Sequence, residues 1–346
     1  MNAPSFNRRQ FTAGLGALVV AFSLDPKHGR AQERLPGSLQ NNRKLDAWIR
    51  IGANGSATVF TGKVELGQGI VTALAQIAAE ELELPLGRIR MISGDTGQTP
   101  NEGQTAGSQS IENSGTALRM AAAEVRGMLI DLAAQRLAVP ADQLSVSDGV
   151  VTAPDGRKAG YGELVANLNL DREASAKTAP KPVARHKLVG KSIARFDIPA
   201  KVTGGAAYVQ DLRLPGMLHG RVVRPPRYGS RLDRLDDTAV RNMPGVVAVV
   251  RDGSFLGVVA AREEQAIKAR AALRDAAKWT LGPELPDPAR IFDVIKSLPS
   301  KDSTIGVKSG APPAGAKTFE AVYTKPYMSH GAIGPSCAIA EFKDGK

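Results

Sequence analysis

A change in hydrophobic period around residue 65 constrains this chain more than any other feature. Leu45 to Ile51 alternates as a strand, Asn54-Gly55 is a strong hairpin signal, and Ala57 to Lys63 returns as a second strand. After Gly67-Gln68-Gly69 the period lengthens. Val71, Leu74, Ala75, Ala78 and Leu82 fall on one face of a helix from about Ile70 to Glu83, and Ile89 to Ser93 reads as a short strand again. Interleaved strands and helices bury sheet faces against helix stripes, which predicts an α+β fold.

Asp95 to Ser110 is a polar loop, long for a structureless connection and for that reason a functional candidate. Ile111 to Leu137 predicts a long helix stopped near Pro140, followed by a small hairpin around Asp148-Gly149 and Asp155-Gly156. Composition then divides the chain. Residues 33–173 form a first segment and 174–187, with its Ala, Lys, Thr and Pro, a linker. Residues 188–282 form a second unit with strands at Met217–Val223, Val246–Val250 and Leu256–Ala260 and helices near Thr238–Met243 and Glu263–Ala277. A Pro/Ser/Gly-rich linker is expected over 283–316, and a further strand pair from 317 onward, at Lys317–Tyr323 and Cys337–Phe342. Lys343-Asp344-Gly345-Lys346 reads as a hairpin turn, so a partner strand is expected beyond it and the chain reads as part of a longer protein.

The formal charge of +11 raises nucleic-acid binding as a class, but the Lys and Arg residues are scattered and no aromatic-basic stripe collects them, so no nucleic acid is expected. Cys337 is the sole cysteine, which excludes an internal disulfide and any Cys-ligated zinc or iron-sulfur site built by this chain alone. His28, His186, His219 and His330 show no HxxxH or HxH spacing, and no metal ligand is assigned among them.

Residues 1–32 have the layout of a signal peptide. Asn7-Arg8-Arg9-Gln10-Phe11-Thr12 precedes a weakly apolar run, Ala13 to Leu24, that is shorter than the ~20 residues a membrane span needs. Arg8-Arg9 followed by Phe11 resembles the twin-arginine type, a route that carries folded and often cofactor-loaded proteins, so a periplasmic location is expected.

Two loops carry the chemistry. Val64-Glu65-Leu66-Gly67-Gln68-Gly69 lies between strand and helix, where glycine-bared backbone N–H groups at a helix N-terminus suit an anion, with Gln68 projecting an amide donor. A tight turn that uses glycines for positive φ explains the same pattern equally well. The second loop holds Asn101, Gln104, Thr105, Ala106, Gly107, Ser108, Gln109 and Ser110 at the start of the long helix. It offers hydroxyls, amides and backbone donors, with Ser108 or Ser110 as a helix cap.

Val64-Glu65-Leu66-Gly67-Gln68-Gly69-Ile70 followed by Thr105-Ala106-Gly107-Ser108-Gln109-Ser110 resembles the molybdopterin-contacting segment of the xanthine dehydrogenase and aldehyde oxidase family. Val189-Gly190-Lys191-Ser192 through about Trp279, with Val202-Thr203-Gly204, Tyr208, Asp211 and Met243-Pro244-Gly245-Val246, resembles that family's small α/β hammerhead domain. Together these cover roughly two thirds of the chain. Here the Gly-Gln-Gly segment precedes the hammerhead, an order similar to large subunits of the isoquinoline 1-oxidoreductase type.

The resemblance implies a molybdopterin-binding segment over 33–173, a hammerhead over 188–282 and the start of a further molybdopterin-binding domain from 317. It implies a molybdenum hydroxylase that oxidises an N-heterocycle or an aldehyde with water-derived oxygen. The cofactor would be molybdenum-molybdopterin cytosine dinucleotide, with a small [2Fe–2S] subunit in trans and a c-type cytochrome as a further partner. Gln68 would hydrogen-bond an oxygen ligand of molybdenum, Gly67 and Gly69 would admit the cofactor, and Thr105 to Ser110 would hold its pterin or phosphates. The family's catalytic glutamate lies in a Gly-x-Gly-Glu motif that this sequence lacks, so the catalytic base is unknown and expected beyond Lys346. Glu65, Glu80 and Glu81 are available carboxylates, but the Glu80-Glu81 pair reads as a solvated helix face. The alternative is a non-catalytic assembly or binding protein that keeps the scaffold. A generic nucleotide-binding enzyme is disfavoured by the missing third glycine of GxGxxG and the absence of a Walker lysine.

Overall fold

The Asn54-Gly55 turn works as its residues dictate. Gly55 takes φ 73°, and β1 (Ile49–Ile51) pairs antiparallel with β2 (Ala57–Thr61). From β2 the chain passes through the glycine loop into α1 (Ile70–Leu82) and returns as β3 (Ile89–Ser93), parallel to β2. The structure is a computed structural model that describes residues 35–303, 306, 310 and 314–345. The twin-arginine reading falls on residues outside those described. The expected strand over Leu45–Ile51 is shorter: Leu45–Ala47 is a 3-10 turn and only Ile49–Ile51 is extended. Leu45, Trp48 and Ile49 are all fully buried, a spacing that two-residue alternation cannot bury on one face.

α2 (Thr116–Leu137) packs on α1, and Ala117, Leu118, Ala121 and Ala122 join Leu74, Ala78 and Leu82 in one buried core. The helix expected from Ile111 opens instead with a π-helical turn, Ser110–Gly115, before regular α geometry begins. There a Cβ on Gly115 would come within 3.1 Å of Ile77. β4 (Ser145–Ser147), β5 (Val150–Thr152) and β6 (Lys158–Gly160) form a meander, and α3 (Tyr161–Leu164) follows it. Buried Tyr161 donates its hydroxyl to the Leu82 carbonyl at the end of α1, and burial pushes its phenol well above the ordinary range.

The described chain divides into two compact units, one ending at Pro199 and one beginning at Ala200. In the second, β7 (His219–Val223), β10 (Phe255–Ala260) and β9 (Val246–Asp252) form an antiparallel sheet in that order, while β8 (Arg231–Leu235) pairs with β11 (Ala277–Thr280). α4 (Thr238–Arg241) and α5 (Glu263–Ala276) close its core with Val240, Ala269 and Leu273 against Val223, Val249, Leu256 and Val258. The mixed helix and sheet content agrees with the α+β expectation. The expected linker over 283–316 contains a short helix, α6 (Ile291–Ser297). The strands expected at Lys317–Tyr323 and Cys337–Phe342 do not form. Phe319, Val322, Tyr323 and Phe342 are all more than three-quarters exposed, and no strand among the described residues lies beside them to pair their backbone.

The stretch 174–187 is no free linker, and the Glu80-Glu81 pair is no solvated face. Glu80, Glu81 and Glu124 are 2%, 1% and 4% exposed, and all three grip this segment. Glu124 accepts from the Ser175 and Ala176 amides and the Ser175 hydroxyl. Glu81 accepts from the Lys181 amide and pairs with Arg119 at 3.0 Å and Arg126 at 2.9 Å. Glu80 accepts from the amides of Lys187, Leu188 and Val189 at 2.6–3.0 Å and from the Lys181 ammonium at 2.5 Å. Burial pushes the Glu80 carboxyl up, but the Lys181 ammonium and the three amides outweigh it and hold it at about 2, below its ordinary 4.5.

A carboxylate depressed in this way contributes stability that is fully present above pH 4.5 and is lost as the pH falls toward 2, a contribution on the order of 3 kcal/mol. The melting temperature of the full chain, followed by calorimetry, is therefore expected to fall across that window. Glu80→Gln should lower stability at neutral pH and flatten the fall; an equally steep fall in the variant excludes Glu80 as its source.

Candidate functional site

The frame of the site is set where β2 ends. Gly62 has no room for a side chain, since a Cβ there would lie 2.3 Å from the Pro100 carbonyl. Lys63, 1% exposed, turns its ammonium onto the carbonyls of Glu102 (2.7 Å) and Gln104 (2.9 Å). Glu102 answers with Oε2, which accepts from the Thr61 hydroxyl (2.7 Å), the Gly62 amide (2.8 Å) and the Ser114 hydroxyl (3.2 Å). Its other oxygen, Oε1, is buried without a partner. One side chain thus ties the end of β2 to the polar loop and to the first turn of the long helix. Val64 completes the junction by donating its amide to Thr105 Oγ1 at 3.0 Å. The two segments singled out in the sequence, 64–69 and 105–110, are therefore neighbours in the first unit.

Within the first loop, Gly67 and Gly69 take φ of 105° and 80°, conformations an L side chain resists. Their amides point toward one anion position, but the anion there is the chain's own. Glu65 Oε1 accepts from both Gly67 and Gly69 at 2.8 Å, and Oε2 from Val71 at 3.4 Å, so this carboxylate satisfies the N-terminus of α1. The glycine amides are not open donors for a phosphate. Gln68 does not project its amide either: Nε2 donates to the Val64 carbonyl at 3.1 Å and Oε1 accepts from the Leu66 amide at 2.5 Å. The loop itself is open to solvent, with Leu66 69% exposed.

The second loop is the better cradle. Ala106, Gly107, Ser108 and Gln109 are exposed, and Gly107 and Ser108 follow one another in the left-handed region at φ 65° and 59°. They turn the chain over 106–109, and the Gln109 amide closes that turn by donating to the Ala106 carbonyl at 3.3 Å. Ser108 and Ser110 do not act as caps: the π turn from Ser110 has no side-chain cap bond, and Ser108 is held in the loop conformation.

These residues fit an extended, anion-bearing cofactor. Gly107 and Ser108, exposed at the tip of the turn, offer backbone and hydroxyl donors, and around Gly67 nothing lies within 4 Å of where a Cβ would stand, leaving room for close approach. No group of three or more His, Cys, Asp or Glu residues that could hold a metal ion occurs among the described residues. Sequence reasoning missed Lys63, Glu102 and Ser114, and gave Glu65 no role. It also missed Arg195, which donates to the Gly67 carbonyl at 2.7 Å and approaches Glu65 at 3.4 Å. A carboxylate two residues ahead of a Gly-x-Gly helix start was the available signal for Glu65; nothing local marked Arg195.

The molybdopterin cofactor-binding domain family matches residues 2–193, which include both loops. The chain is 38% identical over 351 residues to a nicotinate dehydrogenase component from Pseudomonas putida, a match covering 98% of this chain and 29% of that protein. It is 31% identical over 337 residues to the beta chain of isoquinoline 1-oxidoreductase from Brevundimonas diminuta, covering 84% and 43%. It is 32% identical over 294 residues to a membrane-bound aldehyde dehydrogenase of Gluconacetobacter polyoxogenes whose name specifies pyrroloquinoline quinone, covering 80% and 38%. The chain thus spans less than half the length of each of these relatives. It belongs to the xanthine dehydrogenase family of molybdopterin-binding large subunits.

Proposed function

We propose that this chain is the cofactor-cradling part of a molybdenum hydroxylase large subunit that oxidises an N-heterocycle or an aldehyde. The observation that carries the reading is the Val64–Thr105 hydrogen bond, which brings the Gly-Gln-Gly loop and the 105–110 loop together inside the region matched by the molybdopterin-binding family. The names of the relatives, a nicotinate dehydrogenase, an isoquinoline oxidoreductase and an aldehyde dehydrogenase, support the substrate class.

When bound, molybdenum-molybdopterin cytosine dinucleotide supplies two-electron oxidation with water as the oxygen source, chemistry no side chain here provides. The chain binds and orients. Thr105, Ala106, Gly107, Ser108, Gln109 and Ser110 hold the cofactor's anionic groups with backbone amides and hydroxyls. Gly67 and Gly69 keep side-chain bulk out of its approach. Gln68 exchanges its contacts with Val64 and Leu66 for an oxygen of the cofactor, acting as a hydrogen-bonding support rather than as the base. The base lies outside these residues. A small [2Fe–2S] subunit in trans and a c-type cytochrome would be the partners that take up the electrons; two relatives are named as subunits of larger enzymes. Arg8-Arg9 directs the folded protein to the periplasm.

Metal and cofactor analysis of the full-length protein purified from the periplasm of its native host is expected to find molybdenum, a cytosine dinucleotide and a co-purifying iron-sulfur protein. Pyrroloquinoline quinone in its place, or a metal-free protein from a host that makes the molybdenum cofactor, overturns the reading, and the second result favours a non-catalytic assembly role. In the loaded protein, Gln68→Ala should lower kcat about 10- to 100-fold with folding intact. Unchanged turnover at full molybdenum loading removes Gln68 from the site.

A further inference from the structure

The Gly-Gln-Gly loop is held from outside itself. Arg195, 128 residues further along the chain, donates Nη1 to the Gly67 carbonyl at 2.7 Å and brings Nη2 to 3.4 Å from Glu65 Oε1, the carboxylate that occupies the amides of Gly67 and Gly69. Asp197 fixes the guanidinium, accepting from Nε at 3.0 Å and from Nη2 at 2.7 Å. The stem of Arg195 covers Gly69, whose Cβ would meet Arg195 Cδ at 3.4 Å. One residue on, the Phe196 amide donates to Thr72 Oγ1 at 3.2 Å and pins the segment to the first turn of α1. Glu65, Arg195 and Asp197 are 15%, 29% and 23% exposed at the side chain, sheltered enough for charge-assisted bonds to hold a geometry that water would loosen at an open surface.

We infer that Arg195, oriented by Asp197, is a positioning residue for the cofactor loop. It fixes the Gly67 carbonyl and the Glu65 carboxylate together, so that Gly67-Gln68-Gly69 keeps one backbone path and Gln68 one origin from which to reach the cofactor. Two residues of a three-residue glycine loop are conformationally permissive, and the helix N-terminus alone leaves the carbonyl side of Gly67 unrestrained. A planar guanidinium suits the task because it binds the Asp197 carboxylate through two nitrogens while a third addresses the loop; a lysine ammonium has no such fork.

The inference rests on the proposed function for what the loop holds, and its test separates the two. Hydrogen exchange at the amides of Gly67, Gly69 and Val71 is measured in the purified full-length protein, with or without cofactor, for the wild type, Arg195→Lys and Arg195→Met. Exchange about tenfold or more faster in Arg195→Met, less so in Arg195→Lys, with α2 amides unchanged, is the expected result. Unchanged exchange at the loop overturns the inference. Equal acceleration throughout α2 overturns it as well, since Arg195 would then support the fold and not the loop. If the wild type carries molybdenum, Arg195→Met should also lower kcat at equal metal loading with KM within about twofold, the mark of a misplaced group in the site. A wild type without molybdenum defeats the functional reading and leaves the exchange result to decide the role of Arg195.

Discussion

Burying an unpaired carboxylate costs several kcal/mol, and α1 and α2 bury three. Glu80 and Glu81 sit next to each other near the end of α1 and Glu124 on α2, and each is taken out of water with donors that residues 175–189 supply in whole or in part. Backbone amides at 175, 176, 181 and 187–189, the Lys181 ammonium and the guanidiniums of Arg119 and Arg126 fill that need. Segment 174–199 is thereby part of the first unit, although its composition is that of a linker. The placement of Arg195 follows from this. It can reach Gly67 because the chain ahead of it is already fastened along α1 by Glu80 and, through the carbonyls of Leu188 and Lys191, by Gln76.

The other end of α1 obeys the same electrostatics with opposite sign. A helix N-terminus presents unsatisfied amides and partial positive charge, and Glu65 supplies the countercharge from the loop that leads into it. Behind that loop a charge-dense junction does the framing. Lys63 holds the carbonyls of 102 and 104, and Glu102 holds Thr61, Gly62 and Ser114. The second loop leaves this junction with its path set on both sides, by Lys63 before Thr105 and by the π turn after Gln109.

What the sequence made legible was local. The 3.6-residue spacing of Leu74, Ala78 and Leu82 marks α1, and Asn54-Gly55 marks the hairpin, because both are decided by residues within one turn of each other. Where burial depends on a partner far along the chain, local reading fails in a consistent direction. Glu80 and Glu81 looked solvated because their donors lie about a hundred residues away. Leu45 and Trp48 looked like parts of a strand because alternation is visible in sequence and the carbonyl of Asn42, which accepts the Trp48 indole, is not. Both loops of the candidate site could be named from their composition. Their adjacency could not be read from it, since contacts across about forty residues carry it: Lys63 to the Gln104 carbonyl and the Val64 amide to the Thr105 hydroxyl.

Glu65 also divides the labour between the two loops. A carboxylate already seated among the amides of Gly67, Gly69 and Val71 repels a second anion, so the glycine loop is poorly suited to phosphate despite its glycines. The 106–109 turn is exposed and has no carboxylate among its own residues, so on the proposed reading the anionic groups of a cofactor go there. What remains for the glycine loop is approach and orientation: a backbone without side chains at 67 and 69, and between them one neutral amide whose present partners, the Val64 carbonyl and the Leu66 amide, are ordinary loop contacts that cost little to exchange. On the proposed reading, one loop bears the charge of the cofactor and the other addresses its reactive end.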